Sequence, residues 1–399
     1  MSTASARIDE KRPFLPYGRQ TIEADDIECV VAALGGDYLT TGPTVAAFEE
    51  AFAAATGAEH AVACNSGTAA LHLAVLALDL SASDVAIVPT LTFLATANVV
   101  RMCGAEVVFA DVDADTGLMT PALLREALTR VPAGMTAHVA MPVHLNGRIC
   151  DMRALAEIAA EADIVLIEDA CHALGAVDAG ATRHSAMACF STHPVKVIAT
   201  GEGGITTTAS AEFANRMRVL RSHGMLRDAG AFVNPELGLD GGTPNLWYYE
   251  MQEIGWNYRL PDPLCALGIS QLKKLERFHA RRRDIARLYD RLLAPLAPNI
   301  RPVPHADAVH GYHLYAVLMD FPALGLTRRQ TMEKLRQNGV GTQVHYLPVH
   351  HQPYYQRRYG DIHLPGSDAY YARCLSIPFF PAMSDDDVEH VALSLANLS

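Results

Sequence analysis

Short apolar runs alternate with longer segments of helical periodicity from about residue 25 to residue 210. The runs suit buried strands, and the segments that follow them carry apolar residues three or four positions apart, as helices do. Examples are AVAC (61–64) before AALHLAVLAL, VAIV (85–88) before FLATANVVRM, and HVAM (138–141) before MRALAEIAAEA. This alternation predicts an α/β domain whose mainly parallel sheet is flanked by helices on both faces.

The alternation breaks in the second half of the chain. Residues 222–261 are rich in glycine, proline, asparagine and aromatic residues, which predicts a long functional loop. The segments after the loop predict a smaller α+β domain with a long helix, a strand, a helix, a second strand and a C-terminal helix. They are 264–293, HLYAVLM (313–319), RRQTMEKLRQNG (328–339), VGTQVHYL (340–347) and a segment from about Asp385. We therefore predict a large domain over 1–260 and a small domain over 261–399.

Composition and charge restrict the class of protein. Half of the residues are hydrophobic and the charged ones are mixed along the chain, which is typical of a globular protein rather than a disordered one. The formal charge of −12 disfavours nucleic acid and anionic membrane as partners, because both bind basic surfaces. No apolar run reaches the roughly 18 residues of a membrane span, and the N-terminal segment does not resemble a signal peptide. Together with eight cysteines that form no CxxC pair, these features predict a cytoplasmic protein with reduced thiols.

Polar segments follow the predicted strands at the carboxyl ends, where sheets of this class bind ligands. After AVAC, Gly67 and Thr68 open a helix whose free N–H groups can bind a phosphate, although a plain helix cap has the same residues. After IVLI, the segment EDACHALGA places Glu168, Asp169 and His172 at the end of a buried strand. A buried carboxylate there needs a cationic or hydrogen-bonding partner. That partner is either a bound cationic group or a side chain that forms a structural salt bridge.

The segment FSTHPVKVIATGEGG (190–204) contains one lysine, Lys196, after a third apolar strand. Most lysines at loop starts are solvated, but Ser191, His193 and the GEGG turn surround this one with small polar groups, as a bound phosphate and ring require. Enclosure in such a pocket destabilises an ammonium group and frees the amine for Schiff-base chemistry. A phosphate cradle, an aspartate and a lysine in this order are the groups needed to hold pyridoxal 5′-phosphate (PLP).

The order of these motifs resembles that of the fold-type I, PLP-dependent nucleotide-sugar aminotransferases of the DegT/StrS group. The resemblance covers nearly the whole chain. Its blocks are PYGRQTI, DYLTTGPTVAAFEEAF, NSGTAALH, TFLATAN, EDACHALGA, FSTHPVKVIATGEGG and GWNYRLPDPLCALGISQLKKLE. It implies a fold-type I α/β transferase that moves an amino group from L-glutamate to a nucleotide keto-sugar. It also implies a homodimer with shared active sites.

The resemblance assigns roles residue by residue. Lys196 matches the lysine that bonds covalently to PLP and then acts as general acid and base, and Asp169 matches the aspartate that keeps the pyridine nitrogen protonated. Phe93 matches the aromatic residue stacked on the ring, and His172 lies where the family contacts the phenolic oxygen. The phosphate-binding positions are Gly67, Thr68, Ser191 and, reaching over from the other subunit, Asn257. Likeness to one branch of the family, described next, makes Tyr17, Thr40, His345 and Tyr346 substrate-binding positions. Arg259, in the NYR motif, is a candidate for binding the nucleotide's diphosphate, and the alternative for it is a structural salt bridge.

A narrower likeness is to the pseudaminic acid branch of the family, which aminates C4 of a UDP-4-keto-6-deoxy-N-acetylhexosamine. It rests on stretches such as LRSHGM, YYEMQEIGWNYRL and TQVHYLPVHHQPYY. Departures at Thr192, Pro261 and Pro263 leave the sugar open, so the alternative is another nucleotide keto-sugar, linked to GDP or dTDP and carrying a 3-keto or 4-keto group. Two other classes are a non-enzymatic PLP-fold regulator, which the lack of a basic stripe disfavours, and a Rossmann oxidoreductase, which would need a GxGxxG motif.

Two further clusters are assigned no chemistry. Arg281, Arg282 and Arg283 lie on a predicted helix with acidic residues nearby, so we expect a solvated face. The histidines 345, 350 and 351 lack the i, i+4 spacing of a helical zinc site, so we predict no metal. The aromatic residues beside them suggest a surface for a sugar or a base.

Overall fold

The computed structural model describes residues 13–305 and 310–398. A seven-stranded sheet of order β1-β7-β6-β5-β4-β2-β3 forms the centre of the fold. β7 is antiparallel to both neighbours, and the other strand pairs are parallel. The strands are β1 His60–Cys64, β2 Asp84–Pro89, β3 Glu106–Ala110, β4 Thr136–Ala140, β5 Val165–Asp169, β6 Met187–Ser191 and β7 Gly204–Thr208. The predicted α/β class with a mainly parallel, mixed sheet is confirmed.

Helices cover both faces of this sheet because alternate strand residues point to opposite sides. In β2, Ala86 and Val88 pack against α3 and α4, whereas Ile87 packs with α5 and α6 on the other face. The helices of this region are α1 Ala24–Leu34, α2 Pro43–Thr56, α3 Gly67–Ala77, α4 Leu94–Met102, α5 Pro121–Leu128, α6 Met152–Glu161 and α7 Ala211–Leu220. None of the helices within the described residues has the length and apolar character needed to cross a membrane.

The loop predicted over residues 222–261 contains only short strands and helical turns. They are β8 Met225–Leu226, a 3₁₀ turn Ala229–Ala231, α8 Pro235–Gly238, β9 Leu239–Asp240, β10 Thr243–Pro244 and β11 Glu250–Met251. The loop presents large apolar side chains to solvent, among them Leu246 at 94% exposure and Trp247 at 75%. Its apolar surface is therefore available to a partner.

A second, antiparallel sheet of order β12-β13-β14 lies in the C-terminal part of the chain. Its strands are β12 Ile300–Pro302, β13 Tyr315–Met319 and β14 Cys374–Ile377. The helices are α9 Asp262–Leu272, α10 Leu275–Leu293, α11 Arg328–Gln337, α12 Pro353–Tyr359, α13 Pro365–Arg373 and α14 Asp385–Ala396. α9 packs against α1 and α2, while α10 and α14 pack on the second sheet. The domain boundary at residue 260 stays a prediction.

Three local predictions are wrong. The single helix over 264–293 is two helices, α9 and α10, which are separated at Lys273 and Lys274. At this break the Lys274 ammonium binds Asp25 at 2.6 Å and Asp26 at 2.7 Å at the start of α1. Residues 340–347 form isolated bridges at Val340 and Gln343 rather than a strand. Arg282 is 1% exposed instead of solvated, and its Nη1 donates to the carbonyl oxygens of Tyr312, His313 and Phe379 at 3.1 Å each.

Candidate active site

A cavity of about 640 Å³ opens where β1, β2, β5 and β6 end, and the C-terminal part of the chain closes one side of it. Its volume lies in the range of small-ligand sites. The cavity brings together ten of the predicted site residues. They are Tyr17, Gly67, Thr68, Phe93, Asp169, His172, Ser191, Lys196, His345 and Tyr346.

Lys196 lies in the turn that follows β6, where its backbone N–H donates to the carbonyl of His193 at 2.8 Å. Its Nζ lies 3.5 Å from Nε2 of His313. Burial lowers the pKa of Lys196, although the nearby Cys171 and Asp169 oppose this effect. The neutral amine is therefore a larger fraction of the Lys196 side chain than of an exposed lysine. This neutral form is the one that attacks an aldehyde.

Asp169 ends β5 and is 5% exposed. Its Oδ2 accepts from the Thr96 hydroxyl at 2.6 Å, and its Oδ1 accepts from the Cys171 N–H at 3.2 Å. These donors are neutral, so they bring no positive charge to the buried carboxylate, and the cavity side is where a cationic partner can bind it. A protonated pyridine nitrogen is such a partner.

Glu168 points to the opposite side of β5 from Asp169, as successive strand residues do. Its Oε2 lies 2.8 Å from Nε2 of the fully buried His144, and its Oε1 accepts from Ser185 at 2.5 Å. Against the effect of burial, Cys150 and Glu168 raise the pKa of His144 to about 10. Glu168 therefore forms the structural salt bridge considered for this segment, whereas Asp169 lines the cavity.

Neutral histidine rings line the wall next to Lys196. The N–H of Asn146 donates to Nδ1 of His172 at 3.3 Å, so the neutral ring carries its proton on Nε2, 3.1 Å from the Tyr346 hydroxyl. Burial and then the charge of Lys196 hold the pKa of His172 and of His313 well below the usual range. The same causes lower the pKa of His345 to about 3.

The phosphate cradle lies at the start of α3. Ser66 caps this helix by accepting from the Ala69 N–H at 3.1 Å, so the first-turn N–H groups of Gly67 and Thr68 stay outside the helical ladder. The approach here is close, because a Cβ at Gly67 would lie 2.8 Å from the Cβ of Ser191. A helix N-terminus beside a serine hydroxyl suits a phosphate group. The cradle, the free carboxylate and the lysine amine therefore fit PLP.

Three predicted residues lie elsewhere in the single chain. Thr40 and Arg259 line a separate cavity of about 670 Å³, together with Arg227. Asn257 pairs with Ser222, and its carbonyl oxygen accepts from the Asn65 side chain at 3.4 Å. Thr40 and Arg259 thus lie outside the cavity that contains Tyr17 in the single chain, and their role in substrate binding stays a prediction. For Asn257, the prediction was that it binds the phosphate in the active site of the neighbouring subunit.

Sequence reasoning missed two residues of the cavity region. Thr96, which binds Asp169, lies in the first turn of α4, three residues after Phe93, and its position next to a predicted stacking residue was an available signal. His313 reaches Lys196 from a position 117 residues later in the chain. The spacing of residues along the sequence does not predict a contact between positions so far apart.

Comparison with known proteins agrees with this geometry. The profile of the DegT/DnrJ/EryC1/StrS aminotransferase family matches residues 20–396. The chain belongs to this family. Among members with curated names, the chain is 37% identical over 397 residues to the spore coat polysaccharide biosynthesis protein SpsC of Bacillus subtilis (strain 168), covering 96% of this chain and 97% of SpsC.

Solved structures extend the match to DegT-family proteins of known fold. Helicobacter pylori PseC, an aminotransferase involved in the biosynthesis of pseudoaminic acid, superposes with a TM-score of 0.85 at 26% identity, covering 96% of this chain and 99% of PseC. DesI, solved with its TDP-sugar product, has a TM-score of 0.83 at 31% identity, covering 96% of this chain and 92% of DesI. Other matching structures hold the pyridoxal or pyridoxamine form of the cofactor. This DegT-family chain is thus a PLP-dependent sugar aminotransferase.

Proposed function

We propose that this chain transfers the amino group of L-glutamate to C4 of a UDP-4-keto-6-deoxy-N-acetylhexosamine, in cytoplasmic biosynthesis of pseudaminic acid for surface glycans. The observation that carries the chemistry is the joint placement of the Lys196 amine, the buried Asp169 carboxylate and the start of α3 around one cavity. The similarity to PseC over nearly the full length of both chains supports the choice of sugar.

Lys196 is the residue that moves protons in this proposal. Its lowered pKa favours the neutral amine, which can take a proton from the α-carbon of glutamate in the first half of the cycle and deliver a proton to C4 of the sugar in the second. PLP supplies the electron sink that makes this carbon acidic. Asp169 would pair with the ring nitrogen of bound PLP, and Gly67, Thr68 and Ser191 would hold its phosphate. The net reaction converts glutamate and the keto-sugar into 2-oxoglutarate and the amino sugar.

The sugar would lie on the side of the cavity that Tyr17, His345 and Tyr346 form. The rings of Tyr17 and His345 lie with their centroids 5.3 Å apart, and those of His345 and Tyr346 are 4.8 Å apart in an edge-on arrangement. Phe93 is 56% exposed and lies 6.0 Å from the Tyr346 ring, so its face is free to stack on the cofactor. Aromatic walls of this kind bind the apolar faces of sugars and bases.

Among the described residues that line one chain's cavity there is no arginine, and Lys196 is reserved for the chemistry, so the nucleotide diphosphate needs cations from elsewhere. Arg227 and Arg259 line the separate cavity that contains Thr40, and a guanidinium group binds diphosphate oxygens in pairs. We place this surface against the cavity of a second copy in a homodimer. Exposed apolar residues on α1, such as Val31 at 62% and Leu34 at 58%, supply further surface that a dimer would cover.

The test is to incubate the PLP-loaded protein with glutamate and each of a panel of UDP-, GDP- and dTDP-linked keto-sugars, and to measure 2-oxoglutarate. We expect turnover with the UDP-linked 4-keto-N-acetylhexosamine and none with the Lys196→Ala variant. Turnover confined to a GDP- or dTDP-linked sugar, or to a 3-keto-sugar, would replace the proposed substrate with the alternative. A PLP-loaded protein that releases no 2-oxoglutarate with any sugar would favour the regulatory alternative.

A further inference from the structure

A cluster of metal-ligating side chains lies outside the active-site cavity. His350 and His351 belong to a short 3₁₀ turn, Val349–His351, and Asp368 lies in the first turns of α13. One ligand atom from each of the three lies within 4.8 Å of the others. None of the three lines the cavity that contains Lys196. The cluster is therefore separate from the proposed chemistry.

The central observation is an unpaired nitrogen in a buried ring. The His350 side chain is 2% exposed, and its Nε2 has no hydrogen-bond partner among residues 13–305 and 310–398. This atom lies 4.0 Å from Oδ1 of Asp368, which is too far for a hydrogen bond. Leaving a buried polar atom unsatisfied costs about 1–3 kcal/mol, so the position calls for a partner.

An ion between these groups would satisfy that nitrogen. Zinc binds imidazole nitrogen at about 2.0–2.1 Å and carboxylate oxygen at about 2.0–2.2 Å in tetrahedral geometry, so two ligand atoms of one ion lie roughly 3.4 Å apart. The 4.0 Å between His350 Nε2 and Asp368 Oδ1 is close to this separation. His351 Nε2 lies 2.7 Å from the same Asp368 oxygen, where it already makes a hydrogen bond. Small rotations of these two half-exposed side chains would open room for an ion, and water could fill a fourth position.

The ring of His350 is held in place from its other side. Its Nδ1 lies 2.7 Å from the hydroxyl of Thr90, which also accepts from the His350 backbone N–H at 3.2 Å. Metal-bound histidines commonly have such a partner on the second nitrogen, because it fixes the ring and its tautomer.

We propose that His350, His351 and Asp368 bind one divalent transition-metal ion, for which Zn²⁺ is the best match. Two imidazoles and one carboxylate suit zinc better than calcium or magnesium, which prefer ligand sets made entirely of oxygen. The ion joins the turn after the substrate-side residues 345 and 346 to α13, and through Thr90 to the end of β2. It acts as a structural clamp.

The test is a calorimetric titration of the PLP-loaded full chain with zinc chloride. Asp368→Asn and His351→Gln change half-exposed side chains, so the variants are expected to fold, which circular dichroism checks. We expect each to weaken zinc binding about tenfold or more, and Thr90→Val to weaken it by a similar factor without removing a ligand. His363→Gln, at an exposed histidine outside the cluster, is the matched control and leaves the affinity unchanged.

X-ray absorption at the zinc edge gives an independent measurement. The proposal expects nitrogen and oxygen scatterers at about 2.0 Å and no sulfur at about 2.3 Å. Sulfur scatterers would assign the zinc to one of the free cysteines instead. The proposal is also overturned if the wild-type protein does not bind zinc, or if Asp368→Asn and His351→Gln bind it as tightly as the wild type. None of these outcomes bears on the aminotransferase activity.

Discussion

Thr96 Oγ1 donates a hydrogen bond of 2.6 Å to Oδ2 of Asp169 and so joins the first turn of α4 to the end of β5. The same hydroxyl lies 2.8 Å from Oγ1 of Thr92. The Cys171 N–H holds the other carboxylate oxygen. The carboxylate is thus fixed from two sides, and its direction toward the cofactor ring depends on Thr96.

Thr96→Val keeps the shape of this side chain and removes the donor. A hydrogen bond to a charged group contributes about 1.5–3 kcal/mol, so we expect kcat/KM to fall by about 10- to 100-fold and PLP to bind more weakly. Steady-state kinetics and a PLP titration measure both effects. Thr207→Val, at a buried threonine whose hydroxyl bonds to Ala188 in the sheet, is the control. Wild-type kinetics in Thr96→Val would contradict the positioning role.

His313→Phe tests the contact with Lys196. Nε2 of His313 lies 3.5 Å from the lysine Nζ, its ring packs on His172 with centroids 4.4 Å apart, and its Nδ1 has no partner among the described residues. Phenylalanine keeps the ring and removes both nitrogens. We expect kcat to fall about tenfold with the KM for the sugar little changed, since one weak hydrogen bond to a reacting group is lost.

A spectroscopic readout separates positioning from simple damage to the fold in this variant. In His313→Phe the visible absorption band of the PLP-bound lysine should titrate at a different pH than in the wild type. The exposed His363→Phe serves as the control and should titrate as the wild type does. An unchanged titration in His313→Phe would show that the ring nitrogen does not act on Lys196.

Arg282→Met tests a buried cation in α10. Burial lowers the pKa of Arg282 to about 9, and the side chain donates to three carbonyl oxygens, one of them that of His313. Methionine removes these donors and leaves the carbonyls unpaired, so we expect the free energy of unfolding to fall by about 3 kcal/mol or more. Urea denaturation measures the loss. Arg283→Met, which breaks a surface pair with Glu276, should cost less than about 1 kcal/mol.

The pH dependence of stability follows from His345. Its folded pKa of about 3 lies below the unfolded value near 6.5, so the unfolded chain binds the extra proton first as the pH falls. Stability from this group is therefore complete above about pH 6.5 and declines by up to about 1.4 kcal/mol per pH unit below it. Urea denaturation between pH 5 and pH 7, a range chosen around the unfolded pKa of roughly 6.5, should show a shallower slope for His345→Asn than for the control His363→Asn. Equal slopes would contradict this assignment.

The sequence located the parts of the site that one edge of a parallel sheet brings together. Gly67, Asp169 and Lys196 each come at or after the end of an apolar strand. The carboxyl ends of parallel strands lie at the same edge of a sheet. His313 was beyond this reasoning, because its contact with Lys196 depends on how the C-terminal part of the chain packs against that edge. Thr96 was missed although its position three residues after Phe93 offered a signal. Arg282 is different, since it continues the buried positions 278, 285 and 289 of α10, and helical phase alone would have placed it inside.

The reversed direction of β7 sets the width of the phosphate cradle. Because β7 lies antiparallel between β1 and β6, its first residue, Gly204, pairs with both Cys64 and Ser191. A Cβ at this position would lie 2.1 Å from the carbonyl oxygen of Ser66. One methyl group at the start of β7 would thus force apart the two chain segments that receive the coenzyme, although β7 itself holds none of its predicted binding residues.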